Sequence, residues 1–303
     1  MLMADVDRYL ALRRAAGFKL RNTQGMLQGF AAHAAERGEA HVRSQTAIEW
    51  ASAGSTASQR DHRIREVNRF ARFLRAEDAA HEVPPAGAFP CRRSRPPPYI
   101  YRPEEIALLM EHAGRLPPTH SIRPHTYRTL FGLLACTGLR LSEALALRMC
   151  DVTPTSLTIL QTKFRKSRFV PLHPTVAAPL ANYLALRQLI DVPDPYVFLS
   201  LRHRPLIPDL ARYAFHEVCA AARIPRQGSR RKPRLHDLRH TFAVRALQAC
   251  AAGRESAHRH MLALTTYLGH ARLEDTYWYL ESTPELMTDI ASAAERFIYG
   301  GRP

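Results

Sequence analysis

The chain has 303 residues, long enough for two domains that each bury a core. Its 43 lysines and arginines against 27 aspartates and glutamates leave +16 at pH 7, which suits a polyanionic partner. Residues 91–303 hold 30 of those basic groups against 17 acidic ones, so most of the attracting field lies there. No stretch approaches the ~18–20 apolar residues of a membrane span, and the five cysteines (Cys91, Cys136, Cys150, Cys219, Cys250) form no CxxC pair. This pattern argues against a zinc site or a disulfide framework and predicts reduced thiols in a soluble, cytoplasmic protein.

Residues 1–80 read as helices throughout. Val6, Tyr9, Leu10 and Leu12 lie on a first helix that stops near Gly17, and Met26, Leu27, Phe30 and Ala34 mark a second. Ser44 is the predicted cap of a short third helix carrying Ile48 and Trp50. A fourth is predicted from about Thr56 to Arg75, with Ile64, Val67, Phe70, Ala71 and Leu74 on one side. Arg65, Arg69 and Arg72 form a stripe on the other side. A solvated face is the ordinary explanation of such a stripe. With no acid at those three positions and a basic chain downstream, phosphate contact is favoured.

Residues 84–98 break the helical pattern with Pro84, Pro85, Pro90 and Pro96-Pro97-Pro98. Prolines donate no backbone hydrogen bond and favour extended chain, so this reads as a semi-rigid linker. Arg92, Arg93 and Arg95 equip it to follow a phosphate backbone.

Beyond the linker, Pro103-Glu104-Glu105 opens a helix, and a second runs from about Thr126 to Thr137 and ends at Gly138. Short strands are predicted at Ser156–Leu160 and Arg168–Leu172, joined by a basic turn. Further helices fall at about 174–190, 208–223, 236–250, 258–268 and 284–297. The expected fold is mainly α with a small antiparallel β-sheet.

A set of polar residues is scattered over this second part. Arg140 lies in Cys136-Thr137-Gly138-Leu139-Arg140-Leu141-Ser142-Glu143, where one helix ends and another begins, so its side chain turns out of the core. Glu143, three residues on, is placed to hold its guanidinium. His236 and Arg239 are one helical turn apart and share a face. In-line attack on a phosphodiester builds charge on the nonbridging oxygens, and paired arginine forks neutralise it without a metal. A histidine exchanges a proton near neutral pH. Only four lysines occur against 39 arginines, and two of them, Lys163 and Lys166, sit in the turn between the strands. A chain so biased to arginine needs lysine for what arginine does not do, which is give up a proton to a leaving oxygen.

With Leu268-Gly269-His270 and Tyr279, this ordered set resembles the tyrosine recombinases (phage-type integrases), over roughly Tyr99 to the C-terminus. Transposon-encoded members are the nearer likeness. The resemblance assigns the catalytic lysine to Lys163, with Lys166 as the runner-up and otherwise, like Arg165, a DNA contact, and gives His270 a phosphate-donor role. It places the nucleophile at Tyr279, nine residues after His270, with Tyr277 as the alternative. It further implies strand cleavage through a 3′-phosphotyrosyl intermediate with no metal or cofactor, and a tetramer on paired sites in double-stranded DNA.

The implied organisation is an all-helical core-binding domain (1–83), the Pro/Arg-rich linker (84–98) and a mixed α/β catalytic domain (99–303) with a C-terminal helix. The implied location is cytoplasmic, at the nucleoid. A type IB topoisomerase-like enzyme and a non-catalytic DNA-binding protein are the alternatives; the GLRxSE and HxxRH strings favour the recombinase.

Overall fold

A computed structural model describes residues 2–85, 87–91, 98–160, 167–193, 195–225, 232–249 and 254–269, with backbone alone at 21 and 254–258. The chain divides into two compact units, Met1–Pro96 and Pro97–Pro303.

The first unit contains α1 (Leu2–Ala15), α2 (Arg21–Glu36), α3 (Ser44–Ser52) and α4 (Ala57–Arg75). Val6, Tyr9 and Leu10 bury one stripe of α1, whereas Leu12, over half a turn further round, is exposed. They meet Leu27, Phe30 and Ala34 of α2 and Ile64, Val67, Phe70 and Leu74 of α4 in one core. Tyr9 and Phe70 pack edge to face there, 5.5 Å between ring centres. Val83, Ala88 and Phe89 pack on the same core, and Asn68 Nδ2 donates to the Pro84 carbonyl at 2.6 Å, so the start of the proline-rich segment belongs to this unit.

Two helix starts here contrast. Thr56, where the fourth helix is predicted to start, caps α4, its Oγ1 accepting from the Gln59 N–H at 3.1 Å. At α3 the expected Ser44 cap is not made. Arg43 is the capping residue, and the Glu82 carboxylate accepts from the Ser44 N–H at 2.9 Å while pairing with Arg43 at 3.1 Å. A carboxylate suits the positive end of a helix, and this one comes from 38 residues downstream.

The second unit contains α5 (Pro103–Ala113), α6 (Ile122–Thr137), α7 (Leu141–Leu145), β1 (Ser156–Ile159), β2 (Arg168–Pro171), α8 (Pro174–Gln188), α9 (Pro208–Ala221), α10 (Asp237–Gln248) and α11 (Arg254–Leu268). α6 starts four residues before its predicted start. The Ser121 hydroxyl accepts from the Arg123 N–H at 3.2 Å, and Pro124 sits in the first turn, where a missing N–H breaks no helical bond. The strands pair antiparallel with Leu157 opposite Val170 and Ile159 opposite Arg168. Leu157, Ile159 and Val170 face the core, and Phe169 faces out. Tyr101, Leu109, Leu130, Phe131, Phe198 and Phe215 fill the main core. A second cluster of Val244, Leu247, Met261, Leu264 and Leu268 fastens α11 to α10, which fixes where α11 ends. Among the described residues no helix is long and apolar enough to cross a membrane.

Candidate active site

Three chain segments meet where α6, α10 and α11 come together. α6 ends at Gly138, whose φ of 60° is the left-handed conformation that glycine adopts without strain. A Cβ at Gly138 would lie 2.5 Å from Phe242 Cδ1, so the position needs glycine for space as well. The chain then turns through Leu139 and enters α7 with Arg140 as its capping residue.

The Glu143 carboxylate closes that turn. It accepts from the Arg140 N–H at 3.0 Å and from Arg140 Nη1 at 2.7 Å. Arg168, from β2, donates to the same carboxylate through both terminal nitrogens, at 3.2 and 2.8 Å. Glu143 is buried. Burial alone would raise its carboxyl, but the bonds from Arg168 and the Arg140 backbone, with their charges, overcome this and hold it at about 2.

Arg239 is anchored from the other side. Asp237, fully buried at the start of α10, accepts from the Arg234 N–H at 2.8 Å and Arg234 Nη2 at 2.9 Å. Thr241 Oγ1 donates to the Asp237 carbonyl at 2.9 Å and accepts from the Tyr101 N–H at 3.0 Å. With α10 fixed in this way, Arg239 donates to the Gly138 carbonyl at 2.5 Å and to the Leu268 carbonyl at 2.7 Å. Arg140 reaches the same Leu268 carbonyl at 3.4 Å and the Gly269 carbonyl at 3.2 Å. Two arginines a hundred residues apart thus share one acceptor at the end of α11, directly before residue 270.

His236 stands at the start of α10, its ring 4.7 Å from that of His240. The residue is exposed, yet its imidazole is pushed down to about 4. Burial by surrounding protein is the largest cause, then the charge of Arg239, with Arg234 and Arg140 adding and Asp237 opposing. The two observations fit a cleft wall, open to water on one side and crowded on the other. Solvent on the open side screens the charges, so what carries weight is the direction: the ring is neutral at pH 7.

Arg140, His236, Arg239 and Glu143 are therefore gathered in one place. Lys163, Arg165, Lys166, His270 and Tyr279 lie outside the described residues, as do Arg92, Arg93 and Arg95. Of the α4 stripe, Arg65 is paired with Asp61 and Arg69 with Glu66 at 2.5 Å, and both Arg69 and Arg72 are exposed. Both acids sit one turn earlier in the helix, outside the stripe's own three positions.

Arg168 is the site residue that sequence reasoning missed. Nothing in its local sequence separates it from the chain's other arginines, because its partner is 25 residues away.

Among the described residues one group offers metal-ligand chemistry: His41, Asp78 and His81, in the first unit. The Val42 N–H donates to His81 Nδ1 at 3.1 Å, which leaves the proton of the neutral ring on Nε2, 3.9 Å from Asp78. His81 so held presents no lone pair there, and the group reads as a hydrogen-bonded cluster. A cavity of about 460 Å³, lined by Met110, His125, Cys136 and Tyr183 among others, contains none of the clustered arginines. A backbone phosphate calls for an open charged surface rather than a cavity of that kind.

Residues 100–285 match the profile of the phage integrase family. A Sinorhizobium fredii protein described as an integrase/recombinase, y4rB, is 38% identical, the alignment covering 96% of each chain. The fold is also that of XerH site-specific recombinase bound to a palindromic difH substrate, a post-cleavage complex. That match is 18% identical, covers 97% of this chain and 85% of XerH, and has a TM-score of 0.65. A lambda integrase tetramer bound to a Holliday junction matches with a TM-score of 0.64 at 16% identity, over 91% of this chain and 76% of lambda integrase. With most of its second unit inside the family profile and a relative of this identity along nearly its whole length, the chain belongs to the phage integrase family of tyrosine recombinases, enzymes that cut and rejoin DNA.

Proposed function

We propose that this recombinase assembles as a tetramer on two copies of a recombination site, with the Arg140–Arg239 cluster as its phosphate-binding pocket. The supporting observation is the convergence of both guanidiniums on the carbonyl that ends α11. In the free protein those N–H groups rest on backbone carbonyls, and a scissile phosphate replaces neutral acceptors with an anion, to which guanidinium bonds are stronger. His236, neutral at pH 7, is in the form that accepts the proton of an attacking phenol.

In this reading Tyr279 attacks the phosphorus, the bond to the 5′-oxygen breaks, and Lys163 gives that oxygen its proton. His270 donates to a nonbridging oxygen. The phosphotyrosyl ester retains the bond energy, so a 5′-hydroxyl from the partner site reverses the step. The first unit, with the arginine-rich segment near its end, grips the flanking duplex; Arg72 and Arg69 are the exposed members of the stripe, and Arg65 and Arg69 exchange carboxylates for phosphates. The expected location is the cytoplasm, at the nucleoid.

The test begins with the DNA. The full-length protein is expressed in cells, denaturant-resistant adducts are captured, and the attached DNA is sequenced and rebuilt as a nicked suicide duplex. Wild type is expected to form the adduct, Tyr277→Phe to keep it and Tyr279→Phe to lose it. Retention in Tyr279→Phe with loss in Tyr277→Phe would move the nucleophile. Relaxation of site-free supercoiled plasmid by a monomer would favour a topoisomerase instead.

A further inference from the structure

Arg168 makes contacts that a surface strand residue does not need. It is opposite Ile159 in the strand pair between whose two strands Lys163 falls in sequence, and its side chain is largely buried. Both its terminal nitrogens bind Glu143, in the fork-to-carboxylate geometry that only arginine provides. Its other face lies against Gly269. A Cβ there would be 2.8 Å from Arg168 Nη1 and 3.2 Å from its Cζ, and Gly269 has a φ of 65°. Gly269 and Glu143 in turn both hold Arg140, through the Gly269 carbonyl and the Glu143 carboxylate, beside its longer bond to the Leu268 carbonyl. Arg168, Glu143, Arg140 and Gly269 therefore form a closed ring of contacts.

We propose that Arg168 is a positioning residue for strand cleavage: it clamps Glu143 and backs Gly269, and so ties β2 to the Arg140 pocket and to the turn entering residue 270. This rests on reading Arg140 as a phosphate ligand. An arginine holding the pocket from behind affects how well the transition state is held, and has little part in how tightly the duplex is bound. Removing it lowers the rate at saturation and leaves affinity nearly unchanged.

The test uses the full-length protein and the nicked suicide duplex, measuring single-turnover adduct formation at saturating protein alongside duplex affinity. Arg168→Gln is expected to slow adduct formation by about 10- to 100-fold with affinity within about threefold. Arg168→Lys keeps the charge but not the fork, and is expected to recover part of that loss. In a Glu143→Gln background, Arg168→Gln is expected to add less than about threefold, because the two act as one unit. Multiplicative losses in the double variant, or a fall in affinity that accounts for the lost rate, would overturn the proposal. So would an unchanged rate in Arg168→Gln. If Arg168→Gln does not fold, Arg168→Lys carries the test: a wild-type rate in it overturns the need for a fork. Arg140→Ala separates the two ideas, since wild-type cleavage in that variant defeats the pocket itself whatever Arg168 does.

Discussion

Replacing Glu143 by glutamine keeps the shape of the side chain and removes the charge that holds two guanidiniums. The carboxylate accepts four bonds, two from Arg140 and two from Arg168. An amide offers one oxygen and turns two donors toward donors. Holding the carboxyl at about 2 against its usual 4.5 corresponds to ~3 kcal/mol in favour of the charged form, a size in keeping with breaking a buried ion pair. For a unit of this size that is a fall in Tm of about 6–12 °C at pH 7.

The sign with pH follows from the depressed value. The contribution is fully present above about 4.5, where the unfolded group ionises, and is lost as pH falls toward about 2. Calorimetric melts of wild type and Glu143→Gln should therefore differ most at pH 6–7 and converge as the pH is lowered through that window. A gap of under 2 °C at neutral pH, or one constant from pH 7 to pH 3, would refute the reasoning.

Other predictions concern single positions. Gly138→Ala should destabilise the protein by about 1–3 kcal/mol in urea melts, from the left-handed φ and the clash with Phe242, and Phe242→Leu should relieve part of it. A normal melt for Gly138→Ala would mean the turn is not fixed as described. The His236 imidazole, followed by NMR, should titrate well below 6.5 in the free protein and rise when the duplex binds, because a phosphate stabilises the charged ring. Titration near 6.5 would contradict the crowded cleft. Lys163→Ala should slow cleavage, and a duplex with a 5′-bridging sulfur should restore the rate, since a thiolate leaves without a proton; no rescue would remove Lys163 as the acid.

What the sequence disclosed and what it hid divide by distance along the chain. The helix starts at Thr56 and Pro103 and the stop at Gly138 are local signals, and each sits at the end of a helix. The approach of Glu143 to Arg140 is equally local, three residues within one capping turn. Glu82 closing α3 and Arg168 clamping Glu143 are not local, and one carboxylate or one guanidinium among many carries no mark of a partner 38 or 25 residues away. The clustering of Arg140 and Arg239 was legible only as a pattern of residue types. The backbone carbonyls of Gly138 and Leu268 that hold them have no sequence signature at all. Asp61 and Glu66 are a different lesson: both were in plain helical register with Arg65 and Arg69, and buried acids within reach of a basic stripe decide how much of its charge remains for a partner.

The most direct measurement is rejoining activity in a folded variant that lacks both guanidiniums, Arg140→Ala with Arg239→Ala, on the suicide duplex and on paired intact sites. A protein that still binds DNA but forms neither covalent adduct nor recombinant product is the predicted result. Recombination at the wild-type rate would contradict the claim that these two side chains make the phosphate pocket.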